Sequence, residues 1–239
     1  MKIDIKNVRG ESWKLSNVFF HSAFCDSLCK QPSPYFSVFF ISKGITPNTV
    51  TLLMIVSGII AGVFFTIPHL VAKIFAIVLY WLWYIFDCSD GEVARYTNTF
   101  SKYGRELDWV AHLSCHSLFV LSVYISYYQL GLCDSIMMPL FTILLISAEL
   151  ISRNLIAFDA FLFSNKRFQE ERHRNNIVRF IFLQLFSFPT FVLFFPFFII
   201  IDIWLNCSFS IYVYIIWGTC LCLYSIKEFL RYIVYFYRN

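Results

Sequence analysis

Long apolar segments alternate with short polar segments along most of the chain, a pattern typical of several membrane-spanning helices. Crossing the hydrocarbon core of a bilayer takes about 20 apolar residues. The pattern predicts a first span from Thr46, which with Pro47 forms a helix start signal, and turns at Pro68 and Gly131. The six predicted apolar spans cover residues 50–67, 70–86, 107–128, 136–163, 177–201 and 209–235.

The first 45 residues follow a different pattern. Residues 18–42 are rich in aromatic side chains but are interrupted by charged residues and prolines. We expect this segment either to lie in the membrane interface as amphipathic helices or to pack on the cytoplasmic ends of the spans. The predicted fold class is therefore an all-α integral membrane protein. An N-terminal interfacial segment (1–45) precedes a six-helix transmembrane domain (46–239).

Composition supports the membrane prediction. Hydrophobic residues make up 59% of the chain and charged residues 14%, whereas soluble domains are roughly half apolar and about a quarter charged. The eight cysteines include no CxxC pair, so we expect neither a disulfide framework nor a zinc ribbon. The polar N-terminus lacks the apolar core of a cleaved signal peptide, and we expect no nucleic-acid partner.

The basic residues predict an orientation. Eighteen of the 19 Lys and Arg residues lie in the N-terminal segment, at the C-terminus, or around the second-to-third and fourth-to-fifth connections. Only Lys73 lies near an opposite connection. The positive-inside rule then places both termini and the basic connections in the cytoplasm, in a membrane of the bacterial inner type.

A charged segment, residues 87–112, follows the second span without a break. An ionisable residue at membrane depth is by default a candidate functional residue. On a helix, Asp87, Asp90, Gly91, Ala94 and Arg95 share one face about 140° wide.

A second cluster begins the third span, where Gly104, Asp108 and His112 are spaced by four residues and share a face. If the two helices face each other, the three aspartates and His112 meet. Such carboxylates repel one another unless a divalent cation compensates them, and oxygen ligands favour Mg²⁺ or Mn²⁺. The glycines allow a ligand close to the backbone, and Arg95 suits bidentate phosphate binding.

At these residues the sequence resembles the CDP-alcohol phosphotransferase family, whose signature is D-x2-D-G-x2-A-R-x8-G-x3-D-x3-D. The TPN sequence at the start of the first span and the six-span layout add to the resemblance. His112 stands where the last aspartate is expected. The other seven fixed positions match as Asp87, Asp90, Gly91, Ala94, Arg95, Gly104 and Asp108.

The resemblance implies a reaction. An acceptor alcohol would attack the β-phosphorus of a CDP-linked donor and release CMP. The donor would be CDP-diacylglycerol in phospholipid synthesis, or a soluble CDP-alcohol that modifies a lipid or glycan carrier. A homodimer also fits the family.

The resemblance also assigns roles to the matching residues. Asp87, Asp90 and Asp108 would bind one or two divalent cations, and Asp108 and the residue at position 112 would assist proton removal. Arg95 would lie near the CDP phosphates. The nucleotide pocket would be lined by Gly91, Ala94 and Gly104.

His112 leaves two interpretations open. A neutral imidazole suits a base near pH 7 and also suits Mn²⁺ or another transition metal better than Mg²⁺. Alternatively, the substitution is structural or inactivating, and the chain is a non-catalytic membrane protein that keeps the fold and binds CDP or metal. A transporter is a weaker option, because the polar residues cluster at one end of the spans.

Three further polar residues carry expectations. Arg153 in the fourth span either binds a phosphate of donor or acceptor or pairs with Glu149 at i, i+4. His116 either extends a metal-binding stripe from His112 or packs inside the bundle. Glu92 is expected to be exposed.

Overall fold

The computed structural model describes residues 5–9, 24–133, 136–162 and 187–238. Every regular element in these ranges is an α-helix, and six helices are long and apolar enough to cross a membrane. The predicted all-α membrane fold is thereby confirmed. The helices are α1 (Ile5–Arg9), α2 (Phe24–Cys29), α3 (Ser33–Ser42), α4 (Pro47–Thr66), α5 (Leu70–Thr97), α6 (Gly104–Gln129), α7 (Met137–Leu162), α8 (Phe188–Leu205) and α9 (Phe209–Arg238), of which α4 to α9 contain the spans.

The predicted start of the first span is present in α4. Thr46 has an extended backbone, and its side chain accepts the backbone N–H of Thr49 at 3.4 Å. Such a cap satisfies one of the free N–H groups of the first turn. Pro47 follows in the first turn, where its missing N–H costs nothing.

Helix α5 carries the second span and the first part of the charged segment, residues 87–97, as one element. It continues to Thr97 and ends where Asn98 adopts the left-handed conformation, with φ 53°. A short connection then leads to α6 at Gly104. The motif residues therefore lie at the end of one spanning helix and the start of the next.

The fifth span differs from its predicted boundaries. Helix α8 begins at Phe188, because Ser187 accepts the N–H of Thr190 at 3.4 Å and a proline lies in the first turn. It continues past residue 201 because Asp202 does not end the helix. The buried Asp202 carboxylate instead accepts the N–H groups of Phe209 at 3.0 Å and Ser210 at 2.7 Å, capping α9. Residues 177–186 and the predicted polar loop 164–176 lie outside the described residues.

Lys73, the one basic residue predicted near an opposite connection, lies at the end of the bundle remote from the motif. Its side chain is 2% exposed. The ammonium donates to the Phe65 carbonyl at 2.7 Å and to Ser126 Oγ at 2.8 Å. A buried charge needs such partners, and here they join α4, α5 and α6 at the end remote from the motif.

Helix α3 of the N-terminal segment packs against the last turns of α5. Ser33 and Ser37 donate hydrogen bonds to the two carboxylate oxygens of Glu92 at 2.8 and 2.6 Å. Ser89 returns a hydrogen bond to the Ser33 carbonyl at 3.2 Å. The expectation that Glu92 is exposed is wrong: it is 5% exposed, because α3 supplies two hydroxyl donors that replace water.

The two faces of α3 have different surroundings. The serine face is buried against α5. The other face presents Tyr35 and Phe39, which are 61% and 53% exposed. Tyrosine is among the side chains enriched at a membrane–water interface.

Replacing both Ser33 and Ser37 with alanine is expected to lower the thermal unfolding midpoint of the purified protein. The Glu92 carboxylate would stay buried without its two donors, and each lost partner costs roughly 1–3 kcal/mol. Ser42→Ala is the matched control, because Ser42 donates to the Phe39 carbonyl of its own helix, at an exposed position. Equal midpoints for the double variant and the control would contradict this account of α3.

Candidate active site

Three of the predicted metal-binding residues converge at the facing ends of α5 and α6. Asp87, Asp108 and His112 each offer a ligand atom within 4.8 Å of the others. Nε2 of His112 lies 3.2 Å from Asp87 Oδ1 and 3.5 Å from Asp108 Oδ1. The imidazole nitrogen therefore faces both carboxylates, and we call these three residues the Asp–Asp–His centre.

The Asp–Asp–His centre fits a divalent cation. Two carboxylates this close repel each other unless a positive charge compensates them. Asp108 Oδ1 is buried and has no hydrogen-bond partner among the described residues, as expected of an atom whose partner is a bound ion. Carboxylate oxygens suit Mg²⁺ and Mn²⁺, and an imidazole nitrogen adds preference for transition metals.

Asp90 is not one of the three residues of this centre, although its carboxylate lies within electrostatic range of Asp87 and Asp108. Its Oδ2 accepts a hydrogen bond at 2.7 Å from the hydroxyl of Thr51 in α4. The structure therefore brings together three of the four predicted metal ligands and binds the fourth to the neighbouring helix. Sequence reasoning missed Thr51, although its position one turn after the Thr46 cap placed a hydroxyl at this end of the bundle.

The small motif residues lie at the same end. A Cβ atom at Gly91 would be 3.0 Å from Nη1 of Arg95, so the exposed Arg95 side chain folds back across Gly91. A Cβ atom at Gly104 would be 4.0 Å from Oδ1 of Asn48. The TPN start of α4 therefore adjoins the start of α6. Ala94 is half-buried on the same helix end as Gly91.

A layer of aromatic rings supports the centre from within the bundle. Trp83 packs edge-on against His112 and His116 with ring centroids 5.6 and 5.5 Å away. His116 also stacks on Phe188 at 4.2 Å. Sequence reasoning missed this contact of Trp83 with the centre. Its position one turn before Asp87 was the available signal, because i and i+4 share a helix face.

Only one nitrogen of His112 faces the centre. Nδ1 is buried and has no hydrogen-bond partner in the described part of the chain. Metal-bound histidines usually donate a hydrogen bond from their second nitrogen, and no such acceptor is seen here. Binding a cation and accepting a proton therefore compete for Nε2.

Glu149 joins His116 and Arg153 beside the centre. His116 Nδ1 lies 2.8 Å from Glu149 Oε1, and Arg153 Nε lies 3.0 Å from the same oxygen. His116 is thus packed and hydrogen-bonded inside the bundle, the second of its two predicted roles. Arg153 forms the predicted i, i+4 pair with Glu149. The Arg153 side chain remains 21% exposed and lies within electrostatic range of Asp87 and Asp108.

Comparison with known proteins identifies the family. A search of curated proteins found no match. A sequence model described as CDP-alcohol phosphatidyltransferase matches residues 44–224. The match covers most of the chain and includes every residue of the Asp–Asp–His centre. The chain therefore belongs to the CDP-alcohol phosphatidyltransferase family.

Proposed function

We propose that the chain transfers a phosphatidyl or other phospho-alcohol group from a CDP-alcohol to an acceptor alcohol and releases CMP. Family membership supports a phosphotransferase that uses CDP-alcohol donors and alcohol acceptors. The observation that carries the proposal is the convergence of Asp87, Asp108 and His112 at the facing ends of two spanning helices. That arrangement suits the charge of a pyrophosphate donor, given a divalent cation.

In the proposed reaction the acceptor oxygen bonds to the β-phosphorus of the donor, and the bond from that phosphorus to the CMP oxygen breaks. A bound Mg²⁺ or Mn²⁺ would neutralise charge that develops on the pyrophosphate oxygens. Asp87, Asp90, Asp108 and His112 are the residues proposed to hold it. The acceptor proton passes to Asp108 as general base, or to His112 where its Nε2, 3.5 Å from Asp108 Oδ1, does not hold the cation.

The remaining motif residues are proposed to bind the nucleotide and phosphates. Gly91, Ala94 and Gly104 line the CDP pocket, where the absence of larger side chains lets a ligand approach the backbone. The guanidinium groups of Arg95 and Arg153 bind phosphate oxygens of donor or acceptor, for which a planar fork of N–H donors is suited.

We propose CDP-diacylglycerol as the donor and phospholipid biosynthesis as the setting. The centre lies at the ends of spanning helices, so a lipid tail could stay in the bilayer while its headgroup reacts. The distribution of basic residues supports a cytoplasmic centre and cytoplasmic termini in an inner membrane. A soluble CDP-alcohol donor with a lipid or glycan acceptor is the alternative, and a homodimer is the assembly proposed with either.

A CMP-release assay tests the proposal. Purified protein is incubated with Mg²⁺ or Mn²⁺ and with CDP-diacylglycerol or small soluble CDP-alcohols, each with a set of acceptor alcohols. We expect CMP release with one donor class, and mass spectrometry then identifies the product. Binding of CDP without CMP release from any donor would contradict the proposed activity and indicate a non-catalytic binding protein.

A further inference from the structure

Glu149 is a buried carboxylate near the middle of a spanning helix, and it has no place in the reaction described above. Its side chain is 9% exposed. A carboxylate at this depth is costly unless its charge is paired and hydrogen-bonded. Glu149 meets that requirement through a single oxygen, Oε1, which contacts both His116 and Arg153.

The first partner, His116, connects Glu149 to α6, the helix that carries Asp108 and His112. His116 follows His112 by one turn of α6, and the two rings are 5.4 Å apart. His116 is 1% exposed and stacks on Phe188, so its position is fixed by packing. When its Nδ1–H donates to Glu149, the carboxylate gains a rigid anchor on α6.

The second partner of Glu149 is Arg153, which uses only one of its three guanidinium nitrogens for this contact. Arg153 binds Glu149 through Nε, and none of the described residues forms a hydrogen bond with its two terminal nitrogens. A guanidinium bound at Nε keeps its terminal N–H donors for a second ligand. Phosphate is such a ligand, because its oxygens match the spacing of the two donors. The guanidinium also lies within electrostatic range of Asp87 and Asp108.

We propose that Glu149 is a positioning residue, which fixes Arg153 so that its terminal nitrogens face a phosphate of the CDP-linked substrate at the Asp–Asp–His centre. The inference rests on the proposed function for the identity of that substrate. Arginine side chains have many rotamers, and a carboxylate anchored through His116 selects one of them before the substrate arrives. The binding step then loses less entropy.

A double-mutant cycle tests this coupling. Glu149→Ala and Arg153→Ala are each expected to raise the KM for the CDP donor by up to about 100-fold, the loss that a misplacement of about 1 Å can cause. If Glu149 acts through Arg153, the double variant is no worse than Arg153→Ala alone. Independent effects would instead multiply, and that result would overturn the inference.

Two conservative variants and one control variant complete the test. Glu149→Gln keeps an oxygen acceptor and should fall between the wild type and Glu149→Ala, which keeps the test usable if the alanine variant folds poorly. Arg153→Lys keeps the charge but loses the fork, so it should raise the KM as Arg153→Ala does. Glu228→Gln is the matched control, because Glu228 pairs with Arg231 three residues along α9 at 3.8 Å, and it should leave the kinetics unchanged.

The same cycle measured on CDP binding by calorimetry separates this inference from the proposed function. Non-additive losses of CDP affinity without turnover in the wild type would support the role of Glu149 and contradict the activity. Turnover with additive effects in both assays would support the activity and contradict the role. A wild type that neither binds CDP nor turns over would contradict both.

Discussion

Asp108→Asn is expected to reduce CMP release by more than about 100-fold, because loss of even an outer-shell partner of a metal typically costs 10-fold to 100-fold. The amide keeps the shape of the side chain but removes the negative charge that faces His112 Nε2 and Asp87. It also removes one of the two groups proposed to accept the proton of the acceptor alcohol. The loss should appear in kcat with every donor that the wild type uses.

We do not expect Asp108→Asn to lower the stability of the folded protein. Asp108 Oδ1 is buried without a hydrogen-bond partner in the described residues, so neutralising it removes repulsion from Asp87. The thermal unfolding midpoint in metal-free buffer should therefore stay the same or rise. Glu106→Gln is the control on the same helix, since Glu106 is exposed in the first turn of α6. Similar CMP release by Asp108→Asn and Glu106→Gln would contradict the role of Asp108.

His112→Asp is expected to shift metal preference from Mn²⁺ towards Mg²⁺ by about 10-fold, because an oxygen ligand replaces the softer imidazole nitrogen. The shift is measured by competition, with free Mn²⁺ followed by electron paramagnetic resonance as Mg²⁺ is added. His112→Ala should weaken binding of both ions. His69→Ala is the matched control, because His69 is exposed next to the start of α5, the end remote from the centre.

The two His112 variants distinguish the two roles that compete for Nε2 of His112. A ligand role predicts changed Mn²⁺ binding in both His112 variants. A role as base alone predicts unchanged Mn²⁺ binding with a loss of CMP release that is larger for His112→Ala than for His112→Asp. Unchanged Mn²⁺ binding and unchanged CMP release in both variants would show that His112 is neither a metal ligand nor a base.

Residues within one helix could be placed from the sequence. The i, i+4 spacing of Asp108 and His112 predicted that their side chains share one face of α6, because helical geometry is fixed. The Thr46 cap and the continuation of the second span into the charged segment followed from local signals in the same way. These features depend on neighbours in the chain, and they were predicted correctly.

Contacts between helices could not be placed in this way. Thr51 binds Asp90, and the serines of α3 bury Glu92, through hydroxyl groups that have no periodic signature. Periodicity also cannot show that Asp202 caps the following helix instead of ending its own. Each of these cases depends on which helices pack together and at what depth, which a single sequence does not specify.

The most direct test of the central claim is a crystal structure of the protein with CDP and Mn²⁺, in which anomalous scattering locates the metal. The account predicts a manganese peak bounded by Asp87, Asp108 and His112, next to the CDP pyrophosphate. Ordered CDP with no manganese at these three residues, or with manganese bound elsewhere, would contradict it.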